Sequence, residues 1–378
     1  MKNKDKANRN SREFGRREFI KKVSLGATGI GILTSELSCS GINIFSKKSG
    51  KKKEAGAMLY RRLGRTDLMV SEIGLGGHYN GPKWQEKKSN EQWQREAVFK
   101  ECLKNGINLF DTNTEYERES LGKVLQLIPE FREELYVVTD INDQQQTASE
   151  IYDYLMEMID VQLDNLQLPS VDILRFTTVI KKTPPERLEV VFKAFHKMKK
   201  DGKVKYFALS QHDPELLTKW VNKYDEIDII YVPYNYFAPR AEDELFDAAK
   251  KKDMGIVIIK PFNKGTIFNP ELADLIEGSG SRSILDRVEK EKEQRTPESL
   301  IQGTNLTLAQ ASLGYILANE SVSTVIPGME TVEEVRENVS IVGSKFGNLE
   351  RSLLEKYATK ITDTLPPNYR WLNHWCHA

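Results

Sequence analysis

From residue 58 onward, short apolar runs alternate with longer stretches that have the periodicity of helices. Runs such as "NLFDTN" (108–113) and "GIVIIKP" (255–261) are typical of buried β-strands. By contrast, "ASEIYDYLMEMIDVQLDNL" (148–166) repeats apolar residues every three or four positions, as an amphipathic helix does. Runs of the first kind are found at 71–77, 108–113, 135–141, 171–177, 206–212, 229–235, 255–261 and 323–329.

Eight strand-then-helix units of this length predict an α/β fold, namely a (β/α)₈ TIM barrel over residues 58–365. No GxGxxG follows the first strand, which argues against an open dinucleotide-binding sheet. The stretch 59–71, with a turn at 64–67, predicts a hairpin that caps the bottom of the barrel. The seventh connection, about 262 to 322, is longer than a barrel requires, and we expect it to lie over the barrel mouth.

Charge is distributed unevenly along the 378-residue chain, although its formal net charge is zero. Residues 1–57 contain 14 Lys or Arg against 5 Asp or Glu, which leaves 41 against 50 for the remainder. An acidic body argues against nucleic acid as a partner. Cys39, Cys102 and Cys376 lie far apart, and Cys376 belongs to an aromatic C-terminal tail (366–378). Neither a zinc knuckle nor a disulfide framework is therefore predicted.

The basic leader, residues 1–57, resembles a twin-arginine export signal followed by a flexible linker. "GRREFIKK" (15–22) precedes the weakly apolar "VSLGATGIGIL" (23–33), which at eleven residues is shorter than the roughly 20 that span a bilayer. The resemblance implies a periplasmic protein carried out by the twin-arginine machinery, with no transmembrane segment when mature. The alternative is a disordered basic tail beside a short helix. Glu36 stands where a lipid-anchor signal has Leu, which argues against anchoring through Cys39.

Polar residues end most of the predicted strands. Because the active sites of (β/α)₈ barrels lie at the carboxyl ends of the strands, we expect these side chains to converge on one pocket. They are Asp111, Asp140, Thr177, Ser210, Gln211, His212, Tyr234, Asn235 and Lys260, with Tyr116 added from the second loop. For each residue taken alone, the alternative is a rim position whose hydrogen bonds are satisfied by water or backbone.

Several of these residues occur in segments that resemble the aldo-keto reductase family. "INLFDTNTEYERESLGKVL" (107–125) is similar to the family's Asp-Thr-(x)₃-Tyr-(x)₂-Glu signature. "GKVKYFALSQH" (202–212) stands in the place of its Gly-Lys-…-Gly-Val-Ser-Asn-His segment, and "TVIPGMETVEEVRENV" (324–339) in that of its cofactor-clamping end. The similarity covers roughly 59–345. It implies hydride transfer between NADPH or NADH and a small carbonyl or sugar-like substrate.

In this family a tyrosine protonates the substrate oxygen, and the resemblance assigns that role to Tyr116, with Asp111 orienting it. A free phenol titrates near pH 10, about three units too high for easy proton donation at neutral pH. The family compensates with a lysine on the strand that corresponds to 135–141 and a histidine that ends the strand corresponding to 171–177. This chain has Asp140 and Thr177 at those two positions. An anion raises the pKa of a neighbouring phenol, so the family mechanism cannot be transferred unchanged.

Arg175 is the residue best placed to supply the missing cation. Side chains alternate along a strand, so Arg175 shares a face with Thr177, two residues deeper in the barrel. In the predicted order, the strand at 171–177 adjoins the strand at 135–141, which carries Asp140. We therefore expect Arg175 to pair with Asp140; the alternative is that it only braces the barrel.

The candidate cofactor-binding residues are Ser210, Gln211, Lys260, Glu337 and Asn338. By resemblance, the first two hold the nicotinamide amide and the last two contact adenine. Gly328 and Glu334 occupy positions where many family members have the Lys and Arg that bind the 2′-phosphate. We expect NADP or NAD, bound more weakly than usual or no longer bound at all.

The sequence leaves two other functions open. One is a barrel that has lost its chemistry and binds a ligand or a partner protein. The other is a non-redox lyase or isomerase that uses Asp111 and Asp140 together with Tyr116. No metal is predicted, because the spacing of His78 and His212 from these carboxylates does not require one.

Overall fold

The computed structural model describes residues 58–77, 88–142, 147, 149–178, 185–263 and 306–364. Its first element is an antiparallel hairpin of β1 (Tyr60–Arg62) and β2 (Met69–Ser71), joined through a 3₁₀ turn at Gly64–Thr66. The guanidinium of Arg62 donates to both carboxylate oxygens of Asp253 at 2.7 Å, just before a barrel strand begins. The predicted hairpin at the bottom of the barrel is therefore confirmed.

Seven parallel strands follow, and each is hydrogen-bonded to the next one along the chain. They are β3 (Leu109–Thr112), β4 (Tyr136–Asn142), β5 (Val171–Thr177), β6 (Val204–Ser210), β7 (Ile229–Pro233), β8 (Gly255–Ile259) and β9 (Thr324–Val325). A sheet with sequential parallel neighbours winds round in one direction, because each crossover has the same hand.

The (β/α)₈ prediction is confirmed, with one difference: the first apolar run closes the barrel without forming a regular strand. Its Ile73 bridges Val325 of β9, and its Leu75 bridges β3, so this segment lies between the last strand and the first. The backbones approach closely here, since a Cβ on Gly76 would lie 2.4 Å from the carbonyl oxygen of Ile326. Glycine permits this close approach but provides no side chain to stabilise a continuous ladder.

Helices cover the outside of the sheet. Those in the described ranges are α1 (Lys88–Lys104), α2 (Glu115–Leu127), α3 (Ile151–Leu166), α4 (Pro185–Lys200), α5 (Pro214–Lys223), α6 (Leu245–Lys251), α7 (Leu308–Leu317), α8 (Val332–Val339) and α9 (Asn348–Thr364). Thr114, Thr307 and Thr331 each begin a helix with a capping box, in which the Thr side chain and a side chain three residues later bond reciprocal backbone N–H groups. The local sequence thus fixes where α2, α7 and α8 begin.

The apolar core forms two separate clusters. One lies between the sheet and the helices, and the other fills the barrel interior. The interior cluster includes Leu109, Val138, Ile173 and Ile229. Because side chains alternate along a strand, the residues two positions further on also point inward, nearer to the carboxyl ends. The candidate chemistry lies at those positions.

Several sequence predictions fall outside the described residues. They concern the export leader and linker (1–57), His78, most of the long seventh connection (264–305) and the aromatic tail (366–378). In the part of the chain that is described, no helix combines the length and apolar character needed to cross a membrane. Within the same ranges, no group of three or more His, Cys, Asp or Glu side chains is placed to hold a metal ion.

Candidate active site

Four inward-facing residues at the carboxyl ends of the strands form a buried polar layer above the apolar barrel interior. They are Asp111 of β3, Asp140 of β4, Arg175 of β5 and Tyr231 of β7, each two residues beyond an apolar interior residue. Asp111 is 2% exposed, and Tyr231 is completely buried. Charged side chains at this depth require partners, because removing an ion from water is costly unless other charges or hydrogen bonds offset it.

Arg175 bridges the two carboxylates of the polar layer. Its Nε lies 3.5 Å from Asp140 Oδ1, and the two residues are directly paired in the strand register, so the contact expected from the sequence is present. Its Nη2 also donates to Asp111 Oδ1 at 2.9 Å, across the intervening strand. Burial alone would lower the pKa of Arg175, but the two carboxylates raise it above its ordinary value. The guanidinium is therefore charged.

Asp140 accepts hydrogen bonds on both of its carboxylate oxygens. The hydroxyl of Thr177 donates to Oδ1, and the side-chain amide of Asn113 donates to Oδ2 at 3.1 Å. Arg118 places a further positive charge in the same region: burial lowers the pKa of Arg118, and the charge of Asp140 opposes that shift. Thr177, which stands where the resemblance expects histidine, thus serves as a hydrogen-bond donor to Asp140.

Asp111 has fewer partners than Asp140. Its Oδ1 accepts from Arg175, whereas its Oδ2 is buried and has no hydrogen-bond partner among the described residues. Burial raises the pKa of Asp111 to about 7, and the charge of Arg175 opposes that shift. This value includes the effects of the carboxylates of Asp140 and Glu117, which raise the pKa of Asp111, and of the phenol of Tyr231, which lowers it. Asp111 is therefore a carboxyl group that exchanges its proton near neutral pH.

Replacing Asp111 by Asn is expected to flatten the pH dependence of stability. A carboxyl whose pKa is raised on folding contributes stability that is fully present below its ordinary value of 3.8 and is lost as the pH rises through about 7. Between pH 5 and pH 8 the wild type should lose about 3 kcal/mol of unfolding free energy relative to Asp111→Asn. Urea unfolding at several pH values measures this. Asp247→Asn, on the exposed face of α6, is the control, and parallel curves for the wild type and Asp111→Asn would contradict the raised pKa.

Tyr116 lies in the first turn of α2, five residues after Asp111, and is 4% exposed. The start of this helix is held by a capping box. The Thr114 hydroxyl accepts the backbone N–H of Glu117, and the Glu117 carboxylate accepts the N–H groups of Asn113 and Thr114 at 2.9 and 3.0 Å. The local sequence therefore fixes the position of Tyr116, because the two residues of the capping box, Thr114 and Glu117, lie on either side of it in the chain.

A buried ion pair ties this helix start to the rest of the barrel mouth. Arg95 of α1 lies 3.2 Å from Glu117, and both side chains are almost completely buried. Arg95 also donates to the carbonyl oxygen of Met329 at 2.7 Å, in the segment between β9 and α8. The helix start that carries Tyr116 and the segment that resembles the cofactor-clamping end are therefore connected through one guanidinium.

The residues expected at the nicotinamide lie at the end of β6. Ser210 is completely buried, and its Oγ has no hydrogen-bond partner in the described ranges. The amide of Gln211 is engaged within its own loop, where it donates to the Thr178 carbonyl oxygen at 3.2 Å and accepts the His212 N–H at 2.6 Å. The ring of His212 in turn contacts the ammonium of Lys260, with 2.5 Å between Nε2 and Nζ.

The residues expected at the adenosine end lie on α8. Asn338 is buried and Glu337 is half-buried. Glu334 completes the capping box of this helix, because its carboxylate accepts the backbone N–H groups of Glu330 and Thr331. The only cation in α8, Arg336, is paired with Glu101 of α1 at 2.8 Å. A carboxylate therefore occupies the helix terminus that would otherwise favour a phosphate.

Sequence reasoning missed four residues that shape the site: Tyr231, Asn113, Glu117 and Arg95. Strand alternation would have placed Tyr231 inward, two residues after Ile229. Asn113 and Glu117 lie within the Tyr116 signature itself. Nothing in the local sequence around Arg95 marks it as a partner of Glu117, because their contact depends on the packing of α1 against α2.

A parallel barrel with its polar chemistry at the carboxyl ends of the strands defines the general class of (β/α)₈ barrel proteins. Within that class, the model of the "Aldo/keto reductase family" matches residues 72–355, and the chain belongs to that family.

Its relatives are distant in sequence but similar in length. The chain is 24% identical over 298 residues to "Uncharacterized oxidoreductase YqkF" of Bacillus subtilis, covering 76% of this chain and 92% of that protein. It is 23% identical to "NADH-specific methylglyoxal reductase" of Escherichia coli, covering 78% and 97%. Among solved structures, the holo form of aldo-keto reductase AKR11C1 from Bacillus halodurans superposes with a TM-score of 0.59 at 22% identity, covering 83% and 99%.

Proposed function

We propose that this protein is a nicotinamide-dependent oxidoreductase that transfers a hydride to or from a small carbonyl or sugar-like substrate. The proposal rests on the ion pair between Arg175 and Asp111, at 2.9 Å. The family resemblance expects a lysine at this carboxylate, and Arg175 supplies a cation to the same group from another strand. A charge-assisted pair of this kind offsets part of the negative charge in the polar layer.

Tyr116 is the proposed acid and base at the substrate oxygen. In reduction its hydroxyl would donate a proton to the carbonyl oxygen, and in oxidation its phenolate would remove a proton from the alcohol. Three buried carboxylates and three buried guanidiniums lie at this end of the barrel, namely those of Asp111, Asp140, Glu117, Arg175, Arg118 and Arg95.

The residues at the rim fit a nicotinamide cofactor. Ser210 has a buried hydroxyl oxygen with no partner among the described residues, and a carboxamide can both donate to it and accept from it. Asn338 and Glu337 of α8 would contact the adenosine. When bound, the cofactor would supply or accept the hydride, while Tyr116 would handle the proton.

NADH is the proposed cofactor, since by resemblance Glu334 stands where many family members have a cation that binds the 2′-phosphate, and its carboxylate would repel that group. Glu334→Gln removes this charge while keeping the helix cap, because a glutamine side chain accepts the same backbone N–H groups. We expect NADPH affinity to rise several-fold in the variant, by about 1 kcal/mol, with NADH affinity unchanged. Titration calorimetry with both cofactors measures this.

Glu333→Gln is the matched control, because it makes the same charge change on the neighbouring, exposed residue of the same helix turn. Tighter binding of NADPH than of NADH by the wild-type protein would contradict the assignment of Glu334. An equal gain in NADPH affinity in Glu333→Gln would show that only the overall charge of the helix matters.

The proposed activity itself is tested by cofactor binding and turnover. Purified protein is examined by absorbance for bound nicotinamide and by calorimetry with NADH. It is then assayed against small aldehydes and sugars, since two relatives are named "NADH-specific methylglyoxal reductase" and "L-galactose dehydrogenase". NADH binding followed by its oxidation with one of these substrates is the expected result. Absence of binding at millimolar cofactor would refute the proposal.

One observation favours a second candidate, a non-redox lyase or isomerase. Asp111 titrates near neutral pH and has one carboxylate oxygen without a partner in the described ranges, as a general base requires. Such an enzyme would exchange a substrate proton with solvent deuterium in the absence of any nicotinamide. Deuterium incorporation without cofactor would favour this candidate over the oxidoreductase.

A further inference from the structure

Within the polar layer the carboxylates outnumber the guanidiniums, and Arg118 of α2, which lies outside the layer, adds a positive charge that acts on Asp140. Two carboxylates, Asp111 and Asp140, face the single guanidinium of Arg175 in a region where all three side chains are buried. Two buried carboxylates that share one cation repel each other, and protonation of one of them relieves that repulsion. The layer is therefore expected to hold one proton in addition to those of Arg175 and Tyr231.

The two carboxylates of the layer differ in the number of hydrogen bonds that they accept. Asp140 accepts from the Thr177 hydroxyl and the Asn113 amide as well as pairing with Arg175. Asp111 accepts from Arg175, its Oδ2 lacks a hydrogen-bond partner in the described part of the chain, and its other polar neighbour is the phenol of Tyr231. Hydrogen bonds donated to a carboxylate favour its charged form, and Asp111 accepts fewer of them than Asp140 does.

Tyr231 holds this arrangement in place. Its ring lies 5.2 Å from Cζ of Arg175, which places the guanidinium between an aromatic face and the two carboxylates. Its buried hydroxyl faces Asp111, and that contact raises the pKa of the phenol in addition to the larger effect of burial. Glu117 of α2 is a further charged group that acts on Asp111, and its carboxylate raises the pKa of Asp111.

We propose that Asp111 carries an exchangeable proton stored inside the barrel, and that Tyr231 is the positioning residue that fixes Asp111 and Arg175 around it. In the proposed reduction, a bound cofactor would supply the hydride to the carbonyl carbon, and Tyr116 would donate the proton to its oxygen. The location of the proton on Asp111 does not depend on that function.

Infrared spectroscopy of the cofactor-free protein tests the location. A protonated carboxyl has a carbonyl stretching band that disappears on ionisation. We expect one such band in the wild type to titrate with a midpoint near pH 7. Asp111→Asn should lose the band. Asp140→Asn should keep it but shift its midpoint down by about one pH unit or more, because Asp111 then faces Arg175 without a competing carboxylate.

The opposite pattern, with the band lost in Asp140→Asn and shifted in Asp111→Asn, would overturn the assignment. A wild type without any carboxyl band that titrates between pH 5 and pH 9 would overturn it as well. If neither Asn variant folds, Tyr231→Phe remains, since it keeps the ring beside Arg175 and removes only the hydroxyl. Its midpoint should rise, and an unchanged midpoint would refute the positioning role of Tyr231.

This experiment separates the two proposals. If the protein shows the titrating band but binds no NADH, the result supports the buried proton and refutes the proposed oxidoreductase function. If the protein binds and oxidises NADH but shows no titrating band, the result supports the oxidoreductase function and refutes the proton on Asp111.

Discussion

Arg175→Met is expected to destabilise the protein more than any other single substitution in the polar layer. The substitution leaves Asp111 and Asp140 buried side by side without the cation that pairs with both. Removing one partner of a buried ion pair typically costs about 3–5 kcal/mol, because the charge left behind is not compensated. We expect a loss of that size at pH 8, and a smaller one at pH 5, where Asp111 is protonated. Denaturant unfolding at the two pH values measures both.

Two further variants show whether charge or packing is responsible for that loss. Arg175→Lys keeps a cation but cannot reach both carboxylates with a planar fork, so an intermediate stability is expected. The double variant Arg175→Met with Asp111→Asn removes one acid together with the cation, and should regain part of the lost stability. A loss below about 1 kcal/mol in Arg175→Met, or no recovery in the double variant, would contradict the bridging role of Arg175.

Tyr116→Phe is expected to have the largest effect on turnover while leaving the fold intact. The substitution removes one hydroxyl from a buried ring, and with it the proposed proton donor to the substrate oxygen. General acid catalysis by a positioned side chain contributes about 10²–10⁴ in rate, so kcat should fall by that factor. NADH affinity should not change, because the cofactor contacts proposed here come from β6 and α8. Steady-state kinetics with the best aldehyde or sugar, together with NADH calorimetry, provide the measurement.

Tyr234→Phe is the matched control for the loss of a phenolic hydroxyl. Tyr234 also follows a barrel strand, but it packs among the outer rings of Phe246 and Tyr315 and bonds Glu242, away from the polar layer. It should lose stability without a comparable loss of turnover. Turnover in Tyr116→Phe within tenfold of the wild type would remove Tyr116 from the proposed mechanism and favour a different acid.

Much of the fold could be predicted from the sequence, because its signals are local. Apolar runs at regular intervals indicate the parallel strands, and Thr114, Thr307 and Thr331 each mark a helix start through side chains three residues away. The exception is the run at 71–77, which has the composition of a strand but only bridges its neighbours. The number of backbone hydrogen bonds that this segment makes depends on the distance between β9 and β3. That distance is set by the closure of the whole barrel.

For the site, strand alternation and register were enough to expect Arg175 beside Asp140, since the two lie on adjacent strands. They were not enough to predict that the same guanidinium also contacts Asp111, which is 64 residues away in the chain and lies on β3, beyond the intervening β4. That contact requires the curvature of the barrel, which brings inward-facing side chains of non-adjacent strands together.

By itself the sequence determined the barrel, its hairpin cap, and the inward face on which Asp111, Asp140 and Arg175 lie. These follow from spacing and periodicity, which act between residues close in the chain or on paired strands. Only the tertiary structure decided that Tyr231 stacks on Arg175, that Arg95 pairs with Glu117, and that Asp140 has more hydrogen-bond donors than Asp111. Charge balance in a buried layer depends on which side chains share it, and that is set by the closure of the sheet.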